Sequence, residues 1–514
     1  MRAYAPLSRT ALALILGLAL VKLALHLWVN AYAGYGYFRD ELYYLACASR
    51  LDWGYVDQPP FSVWILALNR ALLGDSLFAL RLLPAIAGAL NVVFTGLLVR
   101  EMGGDKRATA LACVAVLAAP IHMAMNGFYS MNAWDMLLWT VAAWLVMRTV
   151  RENRLWQWIV LGIVLGVGLL NKVGFMWLGA GFLVGLLVTS HRRLLLTPRP
   201  WLAAGIALLF FLPYVIWNAL HDFAHLEFME NALRYKYAGI TRLDFLAGQL
   251  LLAGPSILLW IPALIFFLGH HAGRPSRIVG MIFLTTLFIL LVNGKSKPEY
   301  LGAAYPIFFA GGAVLLVQWL ATKKRHTIPL ALLFLLILGF GMVAAPLALP
   351  MLPAARFIAY QKMIGLDHGN SESKEMGELP QFFADMHGWE EMAQTVSGVY
   401  LSLPEAERAD AVVYASNYGR AGAMDFFAKK YPLPRVISPH NSYWIWGYGA
   451  TPVRTVLIIG GRREDHLQSC LQVEPATTFS ATYVMPYENH LEIFICRELT
   501  HSMEEIWQSE KHFE

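Results

Sequence analysis

Apolar runs of about 20 residues recur through the first two thirds of this chain, parted by short polar stretches. A helix of that length crosses the hydrocarbon layer of a bilayer, and the runs lack the strict alternation of barrel strands. The pattern predicts helices near 10–32, 77–99, 108–127, 133–149, 155–171, 174–190, 201–219, 248–269, 278–293, 301–321 and 326–347, about eleven spans. Beyond them the pattern changes. ADAVVYAS and RTVLIIGG read as short buried strands, RAGAMDFFAKKY between them as a helix, and LEIFICREL as a further strand. The expected fold class is a polytopic α-helical membrane protein, residues 1–347, with a small α/β domain over 348–514. A long aromatic loop, 33–76, follows the first helix.

Charge orients this layout. Arg100, Lys106 and Arg107 follow the second span, Arg148, Arg151 and Arg154 the fourth, and His191, Arg192, Arg193 and Arg199 the sixth. Arg274 and Arg277 follow the eighth, and Lys323, Lys324 and Arg325 the tenth. All these loops fall on one side, which the positive-inside rule assigns to the cytoplasm. The N-terminus is then cytoplasmic, and loop 33–76 and residues 348–514 face outward. Arg2 and Arg9 before the first run, with Ala31-Tyr32-Ala33 after it, imitate a signal peptide; the length of the run favours an uncleaved first helix. Charged residues make up only 15% of the 514 and hydrophobic ones 57%, far from the roughly 25% charge of soluble chains. The net charge of +5 says little by itself, and no nucleic-acid partner is expected.

Ionisable residues gather at the outer ends of the spans, where each is a site hypothesis. Asp40-Glu41 opens loop 33–76. Asp40 either accepts a proton from an attacking hydroxyl or caps the helix-like stretch ELYYLACASRL. Asp57, before Gln58-Pro59-Pro60, is a second cavity acid or a turn residue. Asp135 in MNAWDMLLW either lines a cavity beside Asp40 or is a helix-start acid. Lys295, Lys297 and Tyr300 in NGKSKPEYLGAAYP hold a phosphate or reach lipid headgroups, and Arg234 and Lys236 form a weaker second candidate. His225 lies in the interfacial stretch 220–247 and is counted with the substrate cavity, as are Asp57, Gln58 and Tyr43. Asn441, Tyr443 and Trp444 in PHNSYWIWG are acceptor candidates through sugar stacking, with packing the stronger reading. Cys470 and Cys496 are a disulfide candidate if their region lies outside the cytoplasm. No Cys/His spacing marks a zinc site; acidic loops leave room for a divalent ion, and no cofactor is required.

FRDELYYLA after the first helix, DQPPFSVW, the acid of MNAWDMLLW and KSKPEYLGAAYP, in this order, resemble the bacterial glycosyltransferase family 39 group of protein O-mannosyltransferases and aminoarabinose–lipid A transferases. NYGRAGAMDFFAKKY, PHNSYWIWG and CLQV with FICREL look like the soluble domain of one bacterial branch. The resemblance implies a GT-C fold in the bacterial inner membrane, with a periplasmic active site and C-terminal domain. It implies an inverting transfer from a polyprenyl-phosphate sugar, undecaprenyl in a bacterium, to a hydroxyl of an envelope lipid, glycan or protein. Asp40 would be the catalytic carboxylate, with Glu41, Asp57 and Asp135 in one cavity and Lys295, Lys297 and Tyr300 near the donor phosphate. Two positions depart from the aminoarabinose pattern. Tyr43 and Gln58 stand where that group carries basic residues, which moves phosphate charge to Lys295, Lys297 or Arg39 and leaves aminoarabinose unsupported as the sugar. The rival reading is a secondary transporter or lipid-linked sugar flippase; a non-catalytic scaffold is a third.

Overall fold

The computed structural model describes residues 8–366, 375–449 and 452–514. All eleven expected segments are helical in it, with edges shifted by a few residues. Among the described residues, seven helices are long and apolar enough to cross a membrane: Arg9–Tyr32, Leu77–Glu101, Pro198–Leu220, Arg242–Gly269, His271–Asn293, Pro298–Ala321 and Thr327–Ala348. An eighth is counted if the bent pair Val173–Val188 and Ser190–Leu196 is one span. The chain is a multi-pass membrane protein. The other expected segments fall short for local reasons. Lys106–Ala118 stops before Pro120, which begins the short helix Pro120–Ala124 because proline lacks an N–H to continue the ladder. Met131–Glu152 carries Asn132, Asp135, Arg148 and Arg151. Leu155–Asn171 has only 17 residues.

Pro298–Ala321 is almost wholly buried and forms the axis of the bundle. Its glycines set the spacing: a Cβ on Gly312 would lie 2.1 Å from the Leu259 carbonyl oxygen. At the Pro120 break, freed carbonyls need donors. Lys22 Nζ donates to His122 O at 2.8 Å, and His26 Nε2 lies 3.2 Å from Met123 O.

The soluble part is a five-stranded sheet in the order β2-β1-β3-β5-β4. β1 (Ala411–Ala415) is parallel to β2 (Arg435–Ile437) and to β3 (Thr455–Ile459). β5 (Leu491–Leu499) runs antiparallel between β3 and β4 (Cys470–Phe479). The Cys470–Cys496 disulfide joins β4 to β5. The helix Tyr418–Phe427, which follows β1, packs against the helix Arg39–Ala48 of loop 33–76. Glycine makes the approach close. A Cβ on Gly422 would lie 2.9 Å from the Leu42 carbonyl carbon, and one on Gly419 would overlap the Arg39 side chain. Leu42, Tyr43 and Leu45 therefore share one apolar core with Val413, Met424 and Ile495, so loop 33–76 and the sheet domain are built as one body.

Candidate active site

The helix Arg39–Ala48 presents its two first-turn acids in opposite settings. Its N-cap is Phe38, whose N–H donates to Glu41 Oε2 at 2.9 Å. Arg81, from the long helix Leu77–Glu101, clamps Glu41 with Nε at 2.9 Å and Nη2 at 2.8 Å. The Tyr129 N–H adds a fourth bond at 2.8 Å. Both side chains are sealed, 1% exposed for Arg81 and 0% for Glu41. Glu41 thus pins loop 33–76 to two neighbouring segments and has no face toward a substrate, which corrects its expected catalytic role.

Asp40 is the reverse. Its side chain is 36% exposed, and it lies 3.7 Å from Arg39 Nε. It caps nothing: its Oδ1 accepts the hydroxyl of Tyr418 from the soluble domain at 2.9 Å. The Arg39 guanidinium lies over the Tyr418 ring, donates to the Tyr487 hydroxyl at 3.1 Å and stands 3.5 Å from Asp385. Arg39, Tyr418 and Tyr487 line a cavity of about 200 Å³ together with Lys236, His440 and His512. Burial pushes His440 down to about 3, and nearby His512, Lys236 and Arg39 act in the same direction. The ring is neutral, Nδ1 accepting from Tyr418 N at 3.3 Å and Nε2 donating to Glu514 O at 2.9 Å. Behind this wall a buried pair fixes the soluble-domain residues. Arg420 Nε donates to Glu488 at 2.7 Å while its other nitrogens hold Ser416, the Ile459 carbonyl and the Tyr487 carbonyl.

Asp57 lies deeper. Tyr43 donates to its Oδ1 at 2.9 Å and is itself 2.8 Å from Ser442 Oγ. Burial pushes the Asp57 carboxyl up to about 6; the Tyr43 bond opposes this, and the Asp40 charge adds to it while Lys236 opposes it. Asp57 thus senses both Asp40 and Lys236.

A second polar cluster lies near one end of the bundle, around Lys172 and Tyr300. Lys172 Nζ lies 3.5 Å from Asp135 Oδ2, donates to Asn132 Oδ1 at 2.8 Å and sits over the Tyr300 ring. The Tyr300 hydroxyl meets that of Tyr237 at 3.2 Å, and Lys297 covers the Tyr237 ring and lies 3.8 Å from Glu299. Lys236 and Tyr237 are neighbours in sequence, so one turn of chain joins the two clusters. Asp135 is past the first turn of its helix, where the dipole no longer explains it. It belongs with Lys172 rather than beside Asp40, a correction to the expected single cavity. Lys295 is also reassigned: its ammonium reaches the Leu233 carbonyl at 3.3 Å and braces the turn that carries Lys236.

Residues 57–217 match the family described as dolichyl-phosphate-mannose-protein mannosyltransferase. The undecaprenyl phosphate-alpha-4-amino-4-deoxy-L-arabinose arabinosyl transferase of Pseudomonas paraeruginosa is 27% identical over 335 residues, 60% of this chain and 57% of that protein. Its counterpart in Pseudomonas aeruginosa UCBPP-PA14 is 33% identical over 129 residues, 24% of this chain and 23% of that protein. The chain therefore spans less than two thirds of the length of these curated relatives. Among solved structures, ArnT from Cupriavidus metallidurans in the apo state superposes with a TM-score of 0.59 at 14% identity, covering 94% of this chain and 97% of that one. The oligosaccharyltransferase of Archaeoglobus fulgidus gives a TM-score of 0.51 at 13% identity over 87% of this chain and 69% of that one. The fold is that of the GT-C membrane glycosyltransferases.

Within this GT-C fold the structure also places five further candidates, Gln58, His225, Tyr443, Trp444 and Asn441. Gln58 is fully buried and its amide has no hydrogen-bond partner, so it sits in the packing of the loop. His225 is buried against Tyr214 and Phe228, with Nδ1 3.0 Å from the Val56 carbonyl, and supports the Asp57 loop from behind. Tyr443 donates to Asp425 at 2.7 Å, and Trp444 exchanges indole-to-carbonyl bonds with Trp507 at 3.0 and 3.1 Å. Asn441 is buried, bonded to both the nitrogen and the carbonyl of Glu514. The PHNSYWIWG run thus packs the domain rather than offering an acceptor surface. Sequence reasoning missed Tyr418, Tyr487, His440 and Lys172. Of these only Lys172 left a local signal, a lone cation closing the apolar run WIVLGIVLGVGLLNK.

Proposed function

We propose that this protein transfers a sugar from a polyprenyl-phosphate donor to a hydroxyl of an envelope lipid, glycan or protein, on the outer face of the bacterial inner membrane. The N-terminus is cytoplasmic, and Asp40 and the soluble domain are periplasmic. The carrying observation is the pairing of an accessible carboxylate, Asp40, with the cations of the adjoining cavity, Arg39 and Lys236. Such a transfer needs a base for the incoming hydroxyl and cations for the departing phosphate.

In this reading Asp40 takes the acceptor proton as the acceptor oxygen attacks the anomeric carbon. The bond from that carbon to the phosphate oxygen breaks, its electrons leave with the polyprenyl phosphate, and configuration inverts because one carboxylate acts at the bond. Arg39 and Lys236 balance the leaving charge. Lys172, Lys297 and Tyr300 form a second cationic surface for the donor. Tyr418 orients Asp40, and Tyr43 orients Asp57. The names of the similar transferases support undecaprenyl phosphate as the carrier. The proposed step uses side chains alone.

Reconstitution of the purified chain in liposomes with a panel of radiolabelled undecaprenyl-phosphate sugars and an envelope extract tests the proposal. Label moving from the carrier into the extract with inverted configuration supports it. Labels that stay on the carrier for every donor, or a thiol reagent that reaches Asp40→Cys only from the cytoplasmic side, refute it.

A further inference from the structure

A separate cavity of about 470 Å³ opens on one face of the C-terminal sheet, bounded by Met503 and Ile506 of the helix Met503–Ser509, and reaches the carboxyl ends of β1 and β3 at Ser416 and Gly460. In open α/β sheets this is where ligands collect, at strands whose connections leave in different directions. β1 sits between β2 and β3, and the chain leaves it for β2 through the helix Tyr418–Phe427. Gly460 and Gly461, which follow β3, have φ of 79° and 84°, a left-handed turn that keeps side chains off the strand ends.

The lining has a definite chemistry. Val456, Ile458 and Ile506 give it an aliphatic floor, and Tyr414, Gln468 and Glu510 give it a polar rim. Tyr414 donates to Glu510 at 2.8 Å. Asp465 adds a second carboxylate, both of whose oxygens Arg462 holds, at 2.9 and 3.1 Å. Among the described residues no lysine or arginine lines the cavity, so a phosphate would meet the Glu510 carboxylate and no cation. A sugar fits: its C–H face lies on the aliphatic floor while its hydroxyls, or an amine, meet carboxylate, amide and phenol. The contrast with the cavity beside Asp40, which carries Arg39 and Lys236, is the central observation. The two cavities flank one loop. Ser416 lines both, and two residues further on Tyr418 holds Asp40.

We propose that this crevice is the acceptor subsite, binding an uncharged or amine-bearing sugar of a glycan whose next hydroxyl reaches past Ser416 to Asp40. The proposal rests on the transfer reading given above. It divides labour across the Ser416 loop, with phosphate handled on the basic side and glycan on the acidic side.

Saturation-transfer NMR on the full chain in lipid nanodiscs tests it. The probes are the methyl glycosides of glucose, galactose, mannose and N-acetylglucosamine, with glucosamine, and glucose 6-phosphate as the anionic control. At least one neutral or amino sugar should bind with a Kd of about 1 mM, and glucose 6-phosphate at least about tenfold more weakly. Gln468→Ala, at an exposed rim position, and Glu510→Gln should each weaken sugar binding by about tenfold, a loss of one good hydrogen-bonded contact. Asp40→Asn should leave it intact. Binding by no sugar of the panel overturns the proposal. So does equal binding of glucose 6-phosphate, or sugar binding unchanged in both rim variants when they melt like the wild type. Donor turnover is read separately. Its absence from a wild type that binds sugars defeats the transfer reading alone, and its presence in a protein that binds none defeats the crevice alone.

Discussion

Asp40 and Glu41 are adjacent in sequence, both in the first turn of one helix, and the fold gives them opposite work. Glu41 turns inward to a bidentate arginine and two backbone donors, and it has no capacity left for a substrate. Asp40 turns outward to a single tyrosine, with a third of its surface open and a cation 3.7 Å away. Residue type and position at a membrane surface do not separate a site acid from a structural one. The number of donors committed to each oxygen does.

Substitutions should split the two residues. The largest effect on stability belongs to the sealed pair. Glu41→Ala or Arg81→Ala leaves a buried charge without its partner and should cost about 3–5 kcal/mol, enough to abolish recovery of folded protein from detergent. Size-exclusion profiles and melting curves would read this. A Glu41→Ala protein that folds and melts normally would erase the distinction drawn above.

Lys236→Met comes next. Removing one of the cations beside Asp40 should raise the donor KM or lower kcat by about tenfold to a hundredfold, the cost of one charge-assisted contact of about 1.5–3 kcal/mol, with melting unchanged. Lys295→Met should do much less, since Lys295 only braces the turn. Equal losses in the two would restore Lys295 to the phosphate site.

Tyr418→Phe removes one hydroxyl from Asp40 and should lower kcat about tenfold, worth about 1.4 kcal/mol, with little change in donor KM. Because Tyr418 comes from the soluble domain, this variant also asks whether that domain is part of the catalytic machinery.

The smallest effect concerns Asp57. Burial lifts its carboxyl to about 6 from an ordinary 3.8. The native state then binds the proton more tightly than the unfolded chain between about pH 4 and 6, so stability falls as pH rises through that window. Asp385, lifted to about 6 by burial against the pull of Arg39, acts in the same direction. Asp57→Asn should raise the melting temperature at pH 7.5 by a few degrees, on the order of 1 kcal/mol, and the gain should vanish near pH 4. A gain that grows toward acid pH would mean Asp57 is ionised in a stabilising pair.

What the chain disclosed in advance follows from how local each signal was. The apolar runs marked eleven helical segments because lipid imposes its own length on sequence. The Pro120 break and the charges of Met131–Glu152 show why helix and span are not the same count. LEIFICREL coincides with β5, a strand with a buried centre. β4 was invisible because it is an edge strand with most of its side chains in water, and β2 because it has three residues. At the site, Asp40 stood out through its neighbours in the motif. The partners that define its setting lie far along the chain: Tyr418 is 378 residues away, and no spacing rule joins them. The aromatic run PHNSYWIWG left two readings open for a related reason, since the same residue types serve a sugar site and a domain core.

The central claim is that Asp40, and not Glu41, removes the acceptor proton. Transfer from a labelled undecaprenyl-phosphate sugar by Asp40→Asn, at protein levels and melting temperature matched to the wild type, tests it most directly. The account predicts a rate lower by about 10²–10⁴-fold, the usual contribution of a positioned base, with donor binding retained. Transfer at the wild-type rate would contradict it.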